Sequence, residues 1–126
     1  MLVFLCAYCV AIGALAAFAP RTFYDDFPFF ARWVELLPPY NEHLITDVGG
    51  LYLGFALLFG LAAWTLERTL VRAACFAFLL SAVLHLIFHA GHLEGFGTAD
   101  AIAEIVNLAL LLIPPPVAIW AVGRNT

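Results

Sequence analysis

Residues 71–87 form a nearly continuous apolar stretch closed by three histidines, His85, His89 and His92, which fall within eight residues. A helix with 1.5 Å rise per residue crosses a bilayer in roughly 20 residues, so this stretch and its flanks predict a membrane span. Spacings of four and three place the three imidazoles on one helical face. Ionisable groups at such a depth are expensive, so the cluster is the first candidate for function.

The rest of the chain agrees with a membrane setting. Hydrophobic residues make up 65% of it and charged residues 11%, whereas a soluble domain is nearer half apolar and a quarter charged. Its 126 residues hold about four spans and leave no room for a soluble catalytic domain. The net charge of −4, the absence of lysine and five scattered arginines exclude a nucleic-acid-binding stripe.

Four spans are predicted, at about residues 2–19, 43–65, 70–90 and 98–122, which makes the fold class an all-α integral membrane four-helix bundle. Ala17-Phe18-Ala19 resembles a signal-peptide cleavage site. No basic residue precedes the apolar run, however, and Pro20 follows the cut, so the segment is read as a retained first span. Asn41, behind Pro38-Pro39, is the expected N-cap of the second span, and Thr98 that of the fourth. Gly50 and Gly54 in the second span have the small-xxx-small spacing of close helix contacts. This Gly-rich span is therefore the expected surface for a membrane-protein partner or a homo-oligomer. Pro114-Pro115-Pro116 must kink or unwind the fourth span, because three successive amide donors are missing.

Arginine placement predicts orientation. The turn between spans two and three carries Arg68 and Arg72, and the tail adds Arg124. Arg21 and Arg32 in the first connection are accompanied by Asp25, Asp26, Glu35 and Glu42, and the connection after span three has no arginine. Both termini are thus expected in the cytoplasm of a cell whose plasma membrane the chain spans. The first loop, residues 21–41, crowds Phe23, Tyr24, Phe27, Phe29, Phe30 and Trp33 together. Aromatic residues favour the water–lipid boundary, so this segment is expected to carry a short helix over residues 29–37 in that plane; an interfacial anchor is the favoured reading and a lid over the outer ends of the spans the alternative.

With alternating spans, the start of the second, the end of the third and the start of the fourth meet at one face. That end holds Glu42, His43, Asp47, His85, His89, His92, Glu94, Asp100, Glu104 and Asn107, whereas the opposite end has Glu67 and arginines. A pocket of His43, Asp47, His85, His89, His92, Glu104 and Asn107 is expected there. His85 lies roughly 9 Å inside the helix end, deeper than a solvated rim requires. Two chemistries fit. Imidazoles and carboxylates suit zinc, iron or copper, with His85 and His89 as the leading ligands and His43, Asp47 and Glu104 completing a shell; an open position would polarise a substrate or activate water. Alternatively the group is a hydrogen-bonded polar cap in which histidines and carboxylates satisfy one another. No His-Glu-x-x-His signature is present. Cys6 and Cys9 form a C-x-x-C, and Cys75 opens the third span. All three lie at the end away from the histidines; thiol exchange with a quinone or protein partner is one reading, and packing as small apolar residues is the favoured one.

The strings Phe23-Tyr24-Asp25-Asp26-Phe27-Pro28, Pro39-Tyr40-Asn41-Glu42-His43-Leu44, Asp47-Val48-Gly49-Gly50 and His85-Leu86-Ile87-Phe88-His89-Ala90-Gly91-His92-Leu93 together resemble small actinobacterial four-span membrane proteins that are loosely DoxX-like. The resemblance covers most of the chain. It implies a four-helix bundle in the cell membrane and a link to quinone-coupled sulfur oxidation or oxidative-stress complexes, and it carries over no catalytic residues. Three functions remain open on the sequence: metal- or histidine-assisted chemistry on a lipid-soluble substrate such as a quinone or isoprenoid, a non-catalytic accessory subunit of a larger membrane complex, or a small-molecule or lipid carrier with a pH-sensitive mouth.

Overall fold

A computed structural model describes residues 1–124, which are mostly helical with no strand among them. The helices are α1 (Leu2–Phe18), α2 (Pro20–Asp26), α3 (Glu42–Thr65), α4 (Arg68–Ala90), α5 (Thr98–Leu110) and α6 (Pro114–Arg124). Three helical stretches are long and apolar enough to cross a membrane: α3, α4 and the combined Thr98–Arg124 segment of α5 and α6. The first helix passes the same test only together with α2, from which it is bent by 109°. Pro20 causes the bend: it has no amide hydrogen to continue the ladder, and it forces Ala19 out of the helical region, to φ −140° and ψ 57°.

The α3–α4 turn is two residues long. Leu66 takes a left-handed conformation at φ 51°. Glu67 then caps α4, its carboxylate accepting from the amides of Thr69 (3.0 Å) and Leu70 (2.6 Å). At the other end of α3, Asn41 Oδ1 accepts from the Leu44 amide at 3.1 Å. Gly97, rather than Thr98, occupies the N-cap of α5, and no side chain bonds there. The prolines break the last stretch at Leu111–Ile113. Pro114, Pro115 and Pro116 cannot donate to the carbonyls four residues back, so the chain tightens to three-residue bonds, Leu112 N to Ala109 O and Ile113 N to Leu110 O.

The largest interhelical contact joins α1 and α3, whose backbones touch. A Cβ on Gly49 would collide with the Ala17 backbone, 2.7 Å from its Cα, and one on Gly13 would lie 2.9 Å from the Leu53 amide nitrogen. Gly50 and Gly54 do not make this approach: nothing lies within 4 Å of where their Cβ atoms would be. Within the chain, Gly49 thus does what the sequence pattern suggested for its neighbours.

The buried core sits toward the arginine end. Leu5 and Cys9 of α1, Ala56, Phe59 and Ala62 of α3, Val71, Ala74, Cys75 and Phe78 of α4, and Ala118 of α6 form one cluster. Phe78 meets Phe55 and Phe59 edge-on, with ring centroids 5.5 Å apart in each pair, the geometry that aromatic quadrupoles favour. The three cysteines are free thiols, and two are buried in this cluster.

The first loop is not helical where the sequence suggested. Its helix lies at Pro20–Asp26, and only a single 3₁₀ turn, Val34–Leu36, falls within residues 29–37. Pro28 disfavours helix at Phe27, which ends α2 in an extended conformation. The loop is fixed instead by side chains. Arg21 pairs with Asp25 at 2.7 Å and lies over the Tyr40 ring, and Arg32 pairs with Glu35 at 2.9 Å. Buried Trp33 donates from Nε1 to Asp100 Oδ1 at 3.1 Å, joining the loop to the start of α5.

Candidate functional site

Beside the core and extending toward the histidine end, the helices and the aromatic loop line a half-open cavity of about 690 Å³. The volume is in the range of sites that hold small molecules. Phe4, Tyr8 and Ile12 of α1 and Ile45, Val48 and Tyr52 of α3 line one side. Phe23, Phe27, Phe30 and Trp33 of the loop also contribute, beside Leu108 and Leu111 near the break between α5 and α6. The loop therefore forms part of the cavity wall, the place that the lid reading expects of it.

The polar part of the lining is small and comes chiefly from α4 and α5: His85, His89, Glu104 and Asn107. Helical spacing explains the set, because His85 and His89 are one turn apart on α4, and Glu104 and Asn107 one turn apart on α5. His89 Nδ1 and Glu104 Oε1 are 2.6 Å apart, and both side chains are buried, with 8% and 5% of their surface exposed. With Glu104 ionised, the imidazole donates this bond. The second carboxyl oxygen, Oε2, is buried with no hydrogen-bond partner among the described residues. The His85 ring stands across that of His89, with centroids 4.4 Å apart at 61°. His85 and Asn107 are the accessible members of the group. Neither side chain has a hydrogen-bond partner among the described residues.

The other three sequence candidates lie elsewhere. His43 and Asp47 form an exposed pair on α3, 3.4 Å apart, and do not line the cavity. Gly49 accounts for this: it is turned onto α1, and residues two and six positions earlier fall roughly 200° and 240° round the helix from it, away from that contact. His92 is past the end of α4, where its ring stacks on Phe88 at 4.0 Å and Nδ1 meets the Phe88 carbonyl at 2.7 Å. Hence His43, Asp47, His85, His89 and Glu104 do not converge on one point. Among the described residues no three histidine, cysteine, aspartate or glutamate side chains are placed to share an ion. His89 Nδ1 and Glu104 Oε1 instead satisfy each other, while Oε2 is left without a partner among the described residues.

Two tyrosines belong to the cavity although the sequence did not single them out. Tyr8 and Tyr52 meet edge-on across α1 and α3, with centroids 6.2 Å apart. Phenols in the middle of predicted spans were the available signal, since a buried hydroxyl seeks a partner. Compared with protein-family models, curated proteins and solved structures, the chain matches none.

Proposed function

We propose that the chain is a four-span protein of the plasma membrane that binds a lipid-soluble small molecule in the outer half of its helical bundle. In this reading α1, α3, α4 and α5–α6 are the spans, both termini are cytoplasmic, and the lid faces outward. The excess of Arg68, Arg72 and Arg124 at the opposite end supports that orientation.

One observation supports the functional reading: an apolar cavity between helices apolar enough to span a membrane, in which His85 and Asn107 have no hydrogen-bond partner among the described residues and stand beside the buried His89–Glu104 pair. His85 and Asn107 are accessible, and a hydrogen bond made to either against an apolar wall is worth about 1 kcal/mol. A fold that leaves two together in a lined space gains when a guest pairs with them. The histidines thus serve as hydrogen-bonding groups for a guest, with no resident ion required.

Native mass spectrometry of the protein released from lipid nanodiscs tests the reading. The expected result is an apolar adduct of about one per chain, lost in Leu108→Trp, which fills the cavity while leaving α5 helical. Equal adducts on both proteins, or none on either, would contradict it.

A further inference from the structure

The polar lining of the cavity also restricts what its guest can carry. Among the lining residues there is no arginine or lysine. The two arginines of the lid segment do not line the cavity and are committed to exposed pairs, Arg21 with Asp25 and Arg32 with Glu35. A phosphate, sulfate or carboxylate would therefore enter an apolar space without a counter-charge, facing the buried carboxyl group of Glu104; desolvating an unpaired anion costs far more than one hydrogen bond returns. A cation fares little better. Glu104 Oε1 is already taken by His89, Oε2 is enclosed by protein, and the Tyr8 and Tyr52 hydroxyls pair with each other, so the accessible groups are the imidazole of His85 and the amide of Asn107. Both of these can donate and accept, which suits an uncharged group that does the same.

From this we infer that the guest is a neutral apolar molecule bearing a hydroxyl or comparable uncharged donor–acceptor group, which bonds to His85 and Asn107. The inference rests on the reading proposed above and adds the chemical class. His85 and Asn107 contact the guest, whereas His89 and Glu104 act as positioning residues: the pair fixes the His89 ring, against which His85 stands. The wall is otherwise aromatic and aliphatic, from Phe4 and Tyr8 to Phe27 and Trp33, and suits a hydrocarbon body of either shape.

Trp33 lines the cavity and is buried, whereas Trp64 and Trp120 are exposed and do not line it, so Trp64→Phe/Trp120→Phe leaves one reporter in place. This protein, in phosphatidylcholine vesicles at about pH 9, is titrated with four probes that share one tail and quench tryptophan through a terminal bromine: ω-bromododecanol, ω-bromododecanoate, ω-bromododecylamine and bromododecane. The expected result is saturable quenching by the alcohol at a membrane concentration about tenfold below that of the alkane, the worth of one net hydrogen bond. The carboxylate should bind no better than the alkane. His85→Leu and Asn107→Leu, checked for unchanged helicity and Trp33 emission, should each bring the alcohol down to the alkane's level. Tighter binding of the carboxylate or the amine than of the alcohol would overturn the neutral class while leaving the cavity as a binding site, and so would an equal response to all four. Quenching that never saturates with any probe would overturn the binding reading itself.

Discussion

Toward the arginine end of the molecule, Leu5, Cys9, Phe59, Val71, Cys75 and Phe78 fill the space between α1, α3 and α4. Toward the histidine end, a comparable set of apolar and aromatic side chains surrounds about 690 Å³ of cavity. The difference lies in how the elements are joined. Core helices meet through interlocking apolar side chains; the backbone-to-backbone seam of α1 and α3 at Gly13 and Gly49 lies outside that cluster, beside the cavity-lining Ile12 and Val48. At the hollow end, α5 is tied by polar contacts, His89–Glu104 to α4 and Trp33–Asp100 to the loop. Apolar packing pulls surfaces together until no space remains, whereas a hydrogen bond fixes a distance and can hold a wall in place around a space.

Substitutions should separate these two regimes. The largest effect is expected outside both regimes, at the α1–α3 seam: Gly49→Leu should cause a loss of folded protein by size-exclusion and helicity measurements, because its side chain would have to occupy the Ala17 backbone. Gly50→Leu and Gly54→Leu extend into open space and should fold as well as the parent. Next, Phe59→Ala should cost about 3–5 kcal/mol in denaturant unfolding, the range for emptying a packed aromatic site. Phe30→Ala, at 82% exposed and within the lid, should cost about 1 kcal/mol or less. A hollow end that proved as sensitive as the packed one would break the comparison.

The polar wall gives a smaller and more diagnostic effect. Glu104→Leu leaves a buried imidazole nitrogen unpaired and should destabilise by about 1–3 kcal/mol. Adding His89→Phe to it should restore part of that loss, since replacing both partners with apolar groups removes the orphan. The same double variant should bind the cavity guest more weakly, which a purely structural pair would not require.

The smallest effect lies at the opposite end. Hydrogen bonds from the Leu70 and Thr69 amides hold the Glu67 carboxyl below its ordinary value of 4.5. Its pKa is thus lower in the folded protein than in the unfolded chain, so its contribution is fully present above the unfolded value and is lost as pH falls through the folded one. Amide exchange at Leu70 should accelerate relative to mid-helix amides as pH drops below about 4.5, and Glu67→Ala should abolish that dependence.

How much of this was legible in the sequence depends on the range of the forces involved. Local rules worked for Asn41, whose side chain caps α3, and for the prolines that interrupt the last stretch at Leu111–Ile113. They misplaced the loop helix, because aromatic content outweighed the stop that Pro28 imposes at Phe27, and they assigned to Thr98 a cap position that Gly97 holds. Periodicity put His85 with His89 and Glu104 with Asn107, since each pair shares one helix face. It could not tell which face of α3 turns inward. That depends on Gly49 seating against α1, a tertiary contact with no local signature, and it sends His43 and Asp47 outward. Trp33 was visible as an aromatic but not as the partner of Asp100, which lies 67 residues away.

The hollow end can be tested without choosing a guest. Xenon enters apolar cavities and is excluded from close-packed cores. Methyl NMR of the protein in nanodiscs under rising xenon pressure should therefore show saturating shifts at Ile12, Ile45, Val48 and Leu108, while Leu5 and Val71, fully buried in the core, change only slightly. Equal shifts at both sets, or none at the cavity methyls, would contradict the account.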